Sequence, residues 1–256
     1  MQTEAVRREM GLAHAQDERQ LRIDLAAAFR ATVQFNWHES VGNHLSVALS
    51  DDRKQFLMNP RWRHFSTISA SELLKLDSND PSTMDGPNAP DPSAWAIHSQ
   101  IHARVPHARC ILHLHTPYAS ALTTLSDPTL KPIDQNTARF YERLAVDLDY
   151  GGIADSWEEG ARLADKLGEH RVLMMGNHGV LVVGDSVHRA FEDIYFLERA
   201  SQTMVLAYST GQPLNVMPRA LALQTARDWD AYSGMAIAHF EEIKRGLDKS
   251  DPSYKS

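Results

Sequence analysis

The chain has 256 residues, 43% of them hydrophobic and 23% charged, and a formal net charge of −7. Such a composition suits one large globular domain, and an acidic balance with no Lys/Arg cluster argues against a nucleic-acid partner. The single cysteine, Cys110, excludes an intrachain disulfide and fits a cytoplasmic location; with no apolar signal core in "MQTEAVRREMGLAHAQDERQ" and no apolar run long enough to span a bilayer, no membrane is expected.

Residues 1–16 are expected to be a flexible segment, 17–246 the domain and 247–256 a fraying tail. In "DERQ", Asp17 offers a cap with a glutamine three residues on, and Leu21, Leu25, Ala26 and Phe29 recur at helical spacing, which predicts a helix from Asp17 to about Phe35. "HLSVALS" and "QFLMNP" read as strands around the turn "DDRK". Ser69-Ala-Ser-Glu72 is a capping box that predicts a short helix through Leu76, and the proline-rich stretch 77–92 reads as an exposed loop. A helix from Ser93 to about Arg104 leads into the strand "CILHLH" and a helix in "TPYASALTTL". Ser156-Trp-Glu-Glu159 caps a helix to about Gly168, and "RVLMMG" and "GVLVVG" are apolar strands flanking "NHG". A long helix from Ser186 to about Thr210 and a last one over about 220–245 follow. Strands and helices intermix without a regular βαβ beat, so the expectation is one α/β domain whose sheet is covered by helices.

The thirteen histidines direct attention to metal or acid–base chemistry, and to "HLHTPY" first. Residues two apart on a strand share a face, so Ile111, His113 and His115 oppose Leu112 and Leu114. That supplies two imidazoles, and a metal needs at least a third. His98 and His102, spaced i, i+4 in "HSQIH", share a helical face; His178 in "GNHGVLVVG" ends an apolar strand beside Gly179. Spacing alone leaves both completions open.

From about Leu25 to Thr210 the chain resembles the class II aldolase/adducin family, through "GNHLSVAL", "FLMNP", "PSAWAIH", "CILHLHTPYASAL" and "NHGVLVVGDSVHRAFEDIYFLERA", in that order. The resemblance implies a single class II aldolase-like domain with a central, mostly antiparallel sheet covered by helices on both faces. It also implies a divalent cation on His113, His115 and His178, with His98 a structural hydrogen-bonder beside the site; His102 reads as an ordinary helix-face residue. Zinc is the default for three histidines, with manganese, cobalt and iron as alternatives. A small-molecule substrate and a homotetramer with the site at a subunit boundary are further implications. In such a site a Lewis acid stabilises the enediolate left by C–C cleavage.

The sequence also departs from the family. Aldolases carry a motif resembling S-S-E-W-x-x-H whose glutamate moves a proton at carbon; the matching position here is Ala94. The place of their later tyrosine holds Asn136, with Tyr141 five residues on, and "MNPRWRHFS" does not resemble their phosphate-cradling turn. Decarboxylation needs no base at carbon, and Arg61 or Arg63 can grip a carboxylate. The candidate set is therefore His44 and Tyr141 as catalytic residues, and Asn59, Arg61, Arg63, Ser93, Gln135 and Asn136 as substrate-binding residues. The expected activity is metal-dependent C–C cleavage of a small hydroxy- or oxo-acid. The alternatives are an adducin-like interaction module, against which the absence of a basic tail counts, and a sugar-phosphate epimerase. Cys110 is expected to be a small buried hydrophobe.

Overall fold

A computed structural model describes residues 18–86, 88–232 and 234–256. Its seven strands form one sheet in the order β3-β2-β1-β4-β7-β6-β5. These are β1 (His44–Ala48), β2 (Gln55–Met58), β3 (Leu74–Asp77), β4 (Cys110–Leu114), β5 (Leu144–Asp147), β6 (Val172–Met175) and β7 (Gly179–Gly184). All neighbours are antiparallel except β5 and β6, which are parallel and joined by a helix as a parallel pair requires.

The helices are α1 (Glu18–Gln34), α2 (Pro92–Arg104), α3 (Pro117–Thr123), α4 (Gln135–Ala138), α5 (Trp157–Leu167), α6 (Val187–Ser209), α7 (Arg219–Ala231) and α8 (Gly234–Ser250). Alternation along the strands divides them between two faces. Leu45, Val47, Leu112, Leu114, Val180 and Val182 pack with Phe29 of α1, Leu122 of α3, Phe191 of α6 and Phe240 of α8. On the other face Ile111, Leu173, Leu181 and Val183 meet Ile97 and Ile101 of α2 and Leu163 and Leu167 of α5. The central strands are apolar on both sides because both sides are covered. Helices α2 and α5 approach so closely at Gly160 that a Cβ there would overlap the Ala96 carbonyl oxygen and stand 2.7 Å from its carbon.

Strand register gathers one end of the sheet into a site. His44 pairs with His113, Leu114 with Val180, and both Asp147 and Gly179 with Met175. With Ser46 opposite Met58, the residues after β2 emerge at this end too.

Several expectations need correction. The capping box forms, Ser69 N donating to Glu72 Oε2 at 3.1 Å, but it closes a single 3-10 turn over Ala70–Glu72. Leu74–Asp77 then runs as β3, because pairing with β2 outweighs a local helical preference. The last helix is two, α7 and α8, divided after Tyr232. Beyond Ser250 the chain does not fray: Tyr254 is 0% exposed, its hydroxyl donates to Asp248 Oδ1 at 2.8 Å, and Arg30 pairs with Asp251 at 3.1 Å. One large aromatic in the core offsets the entropy that would otherwise free a short terminus. Strand β5 and the short α4 had no sequence expectation. The Asp17 cap and the segment 1–16 lie outside the described residues. Among those described, no helix is long and apolar enough to cross a membrane.

Candidate metal centre

At that end of the sheet His113, His115 and His178 converge, one ligand atom from each lying within 4.8 Å of the others. His113 is the last inward-facing residue of β4 and His115 stands just past the strand end. His178 comes from the tight turn between β6 and β7. The turn needs a left-handed residue, supplied by Asn177 at φ 55°, and Asn177 N donates to Thr123 O at 3.0 Å, tying it to the end of α3. Burial pushes His178 down to about 4, which keeps its imidazole neutral near pH 7.

Outer partners select the nitrogens. His113 Nδ1 lies 3.1 Å from Val180 O; a carbonyl only accepts, so the proton is on Nδ1 and Nε2 carries the lone pair. His115 Nδ1 donates to the Glu39 carboxylate, which leaves its Nε2 buried with no partner among the described residues. A carboxylate or carbonyl behind an imidazole is how metal-bound histidines are held. Gly179 makes room for the arrangement. A Cβ there would enter the His115 ring, stand 2.8 Å from Leu114 O and 3.2 Å from His115 Nε2. Buried Glu198 fastens the following turn, accepting from Thr116 Oγ1 at 2.7 Å, Tyr118 N at 2.9 Å and Ala119 N at 2.9 Å. The donor set and the orphaned Nε2 therefore fit a divalent cation.

His44 lies beside the trio, its ring centre 4.8 Å from that of His113. Its Nδ1 is 2.8 Å from His98 Nε2, so His98 is a hydrogen-bonding neighbour outside the trio. His102 differs from its expectation: it is 0% exposed and bonded at both nitrogens, to Ser46 Oγ and Ala108 O. Asn59 is buried and accepts from Leu45 N at 3.4 Å, beside His44. Arg61 lies over the Trp62 ring at 4.6 Å, while Arg63 is paired with Glu72. Ser93 Oγ donates to Asp91 Oδ1 at 2.6 Å in the cap of α2, and Asp91 is among the charges felt by His44. Gln135 and Asn136 sit on α4, where Gln135 O accepts from Trp229 Nε1 of α7, and Tyr141 follows α4 in the segment before β5; the Gln135 contact does not reach the trio. Ala94 is 1% exposed among Phe56, Met58, Leu76 and Trp95. Cys110 is fully buried and its thiol is pushed far up by desolvation, as expected of a core residue.

Glu39, Glu198 and Ser46 escaped the sequence reading, and so did the buried hydrogen-bonding role of His102. Glu39 and Glu198 are distant in sequence from the groups they bind and carry no local signal. Ser46 and His102 had one: the alternation His44-x-Ser46 and the i, i+4 pair His98/His102 each present two polar groups on one face.

Residues 23–205 match the model of the Class II Aldolase and Adducin N-terminal domain. A Caulobacter vibrioides protein, named provisionally as a class 2 aldolase, is 34% identical over 240 residues, covering 93% of this chain and 92% of its own. The decarboxylase NovR of Streptomyces niveus is 26% identical over 227 residues, covering 86% and 83%. An aldolase II superfamily protein from Pseudomonas syringae superposes with a TM-score of 0.84 at 30% identity, over 93% of this chain and 96% of that one. The chain belongs to the class II aldolase and adducin family.

Proposed function

We propose that this chain is a divalent-metal-dependent lyase that breaks a carbon–carbon bond in a small hydroxy- or oxo-acid, with His113, His115 and His178 holding zinc, or manganese, cobalt or iron. The observation that carries the reading is the convergence of three imidazoles, with His115 Nε2 buried among them and without a partner among the described residues. A cation held by three neutral imidazoles supplies a Lewis acid with an open position.

The remaining residues favour decarboxylation over aldol cleavage. Ala94 can exchange no proton, and it packs among apolar side chains. Loss of CO₂ needs no base at carbon; the carbon–carboxylate bond breaks heterolytically and the carbon then takes up one proton. Arg61 is suited to grip the substrate carboxylate, since no acid pairs with it among the described residues and it follows β2 at the His44 end of the sheet. The name of the Streptomyces niveus relative supports the same chemistry. We assign His44, whose ring centre is 4.8 Å from that of His113, to contact the substrate, with Tyr141 as a second catalytic candidate and Asn59, Ser93, Gln135 and Asn136 as binding candidates. We assign the chain to the cytoplasm and to a homotetramer whose subunits meet near the site. Exposed Leu148, Tyr150, Ile153 and Trp157 support that boundary, the Tyr150 ring centre standing 6.2 Å from that of His178.

Elemental analysis of protein purified without chelator or affinity metal tests the reading. About one tightly held divalent ion per chain, lost in His113→Ala together with CO₂ or aldehyde release from a hydroxy- or oxo-acid, is the expected result. Full turnover by His113→Ala sinks it. A folded chain that refuses added zinc transfers the reading to an adducin-like interaction module, which Ala94 also suits.

A further inference from the structure

Behind the centre four polar side chains form one unbroken line. β1 presents His44 and Ser46 on the face covered by α2, and α2 presents His98 and His102 one turn apart. Two strand residues advance about 6.7 Å and four helix residues about 6 Å, so the two pairs run in step. His102 Nδ1 is 3.0 Å from Ala108 O and its Nε2 is 2.8 Å from Ser46 Oγ. Ser46 Oγ is 2.6 Å from His98 Nδ1, and His98 Nε2 is 2.8 Å from His44 Nδ1. Ser46, His98 and His102 are 0% exposed and His44 is 5% exposed.

The direction of this line is set at its far end. Ala108 O accepts only, so His102 Nδ1 carries a proton. Among the described residues no carboxylate hydrogen-bonds any of the three rings, and a buried imidazole without a counter-ion stays neutral, with one proton per ring. His102 Nε2 is then a lone pair, and Ser46 must donate to it. The serine oxygen is left to accept from His98 Nδ1, and His98 Nε2 to accept from His44 Nδ1. Each link fixes the next, because two lone pairs or two protons facing each other in a dry interior forfeit a hydrogen bond.

We propose that His102, Ser46 and His98 are positioning residues that hold His44, whose ring centre is 4.8 Å from that of His113, as the tautomer protonated on Nδ1, so that its Nε2 is a hydrogen-bond acceptor that cannot donate. The tautomer is a property of the chain, while its use rests on the reading of the neighbouring trio as a metal centre. An Nε2 of this kind matches the O–H of a hydroxy-acid or of a water, and it opposes a bare carbonyl oxygen. His44 therefore biases the site towards the hydroxy form of the substrate class proposed above.

Nitrogen-15 NMR of histidine-labelled protein, assigned with single His→Gln variants, distinguishes protonated from bare ring nitrogens. In the wild type His44, His98 and His102 are expected to be Nδ1–H. Ser46→Ala is expected to leave His102 unchanged and to bring an Nε2–H population at His98 and His44, while Ser46→Thr, which keeps the hydroxyl, restores the wild-type pattern. A wild-type His44 carrying its proton on Nε2 overturns the proposal without any variant, and so does an unaltered His44 in folded Ser46→Ala. Zinc titration of the same samples separates the two readings. Expected tautomers in a chain that refuses zinc overturn the metal centre alone, whereas stoichiometric zinc with the wrong tautomer overturns the positioning line alone.

Discussion

Gly179→Ala tests the centre through a single methyl group. The added Cβ would enter the His115 ring and stand 2.8 Å from Leu114 O. The carbonyl belongs to β4, whose pairing with β7 holds it, so the ring has to move. Moving it breaks the bond to Glu39 and takes Nε2 away from the other two imidazoles. Overpacking of this kind costs about 1–3 kcal/mol. For a chain of this size each kcal/mol lowers Tm by about 2–4 °C, so the metal-free variant melts roughly 2–12 °C below the wild type. Zinc affinity falls by at least the 10–100-fold typical of a lost supporting contact, because a ligand itself is displaced. Calorimetric melting of the apo-protein and competition with a chromophoric zinc chelator read the two effects separately. A variant that melts and binds zinc like the wild type would refute both the packing argument and the assignment of His115.

Glu39→Ala removes an exposed group whose contact of note is His115 Nδ1, so zinc affinity should drop about 10–100-fold with the melting temperature of the apo-protein nearly unchanged, as chelator competition and calorimetry would report. Gly160→Ala should destabilise despite a gain of about 1 kcal/mol in helix propensity, since backbone at the α2–α5 crossing has nowhere to go; a variant as stable in urea as the wild type would mean the helices can separate at no cost. Tyr254→Ala should cost about 3–5 kcal/mol, the usual range for a buried aromatic, and an unshifted urea midpoint would return the tail to a frayed state. Acid should destabilise the apo-protein through its buried imidazoles. Burial pushes His102 down to about 3, below its unfolded value near 6.5, so the unfolded chain binds the extra proton first. Stability present above about pH 6.5 is then lost as pH falls, on the order of 1 kcal/mol per pH unit for each such ring, until the folded ring protonates. Urea midpoints at pH 7 and 4.5 check this, and His102→Gln should flatten the slope.

Local chemistry made much of the molecule readable in one dimension. Alternation in Cys110–His115 put Leu112 and Leu114 into one core and Ile111 into the other, and it aligned His113 with His115. Helical spacing and caps located α1, α2, α5 and α6 to within a residue or two. Where the pattern was short the reading failed: Leu144–Asp147 is a four-residue edge strand, and Leu74–Asp77 follows a genuine capping box. Four residues carry too few contacts of their own for local preference to decide, and a neighbouring strand's hydrogen bonds do it instead.

The amino-acid order by itself determined which side chains share a strand or helix face, because backbone periodicity is set by neighbours in sequence. It could not choose between His98/His102 and His178 as partners of the H-x-H pair. That choice was made by β4 and β7 lying side by side, in a register that pairs residues 66 to 74 positions apart in sequence. The same holds for Glu39 behind His115, Glu198 under the turn at Thr116, and the line from Ala108 O to His44. Each is a hydrogen bond whose partners are brought together by packing, so only the folded chain could reveal it.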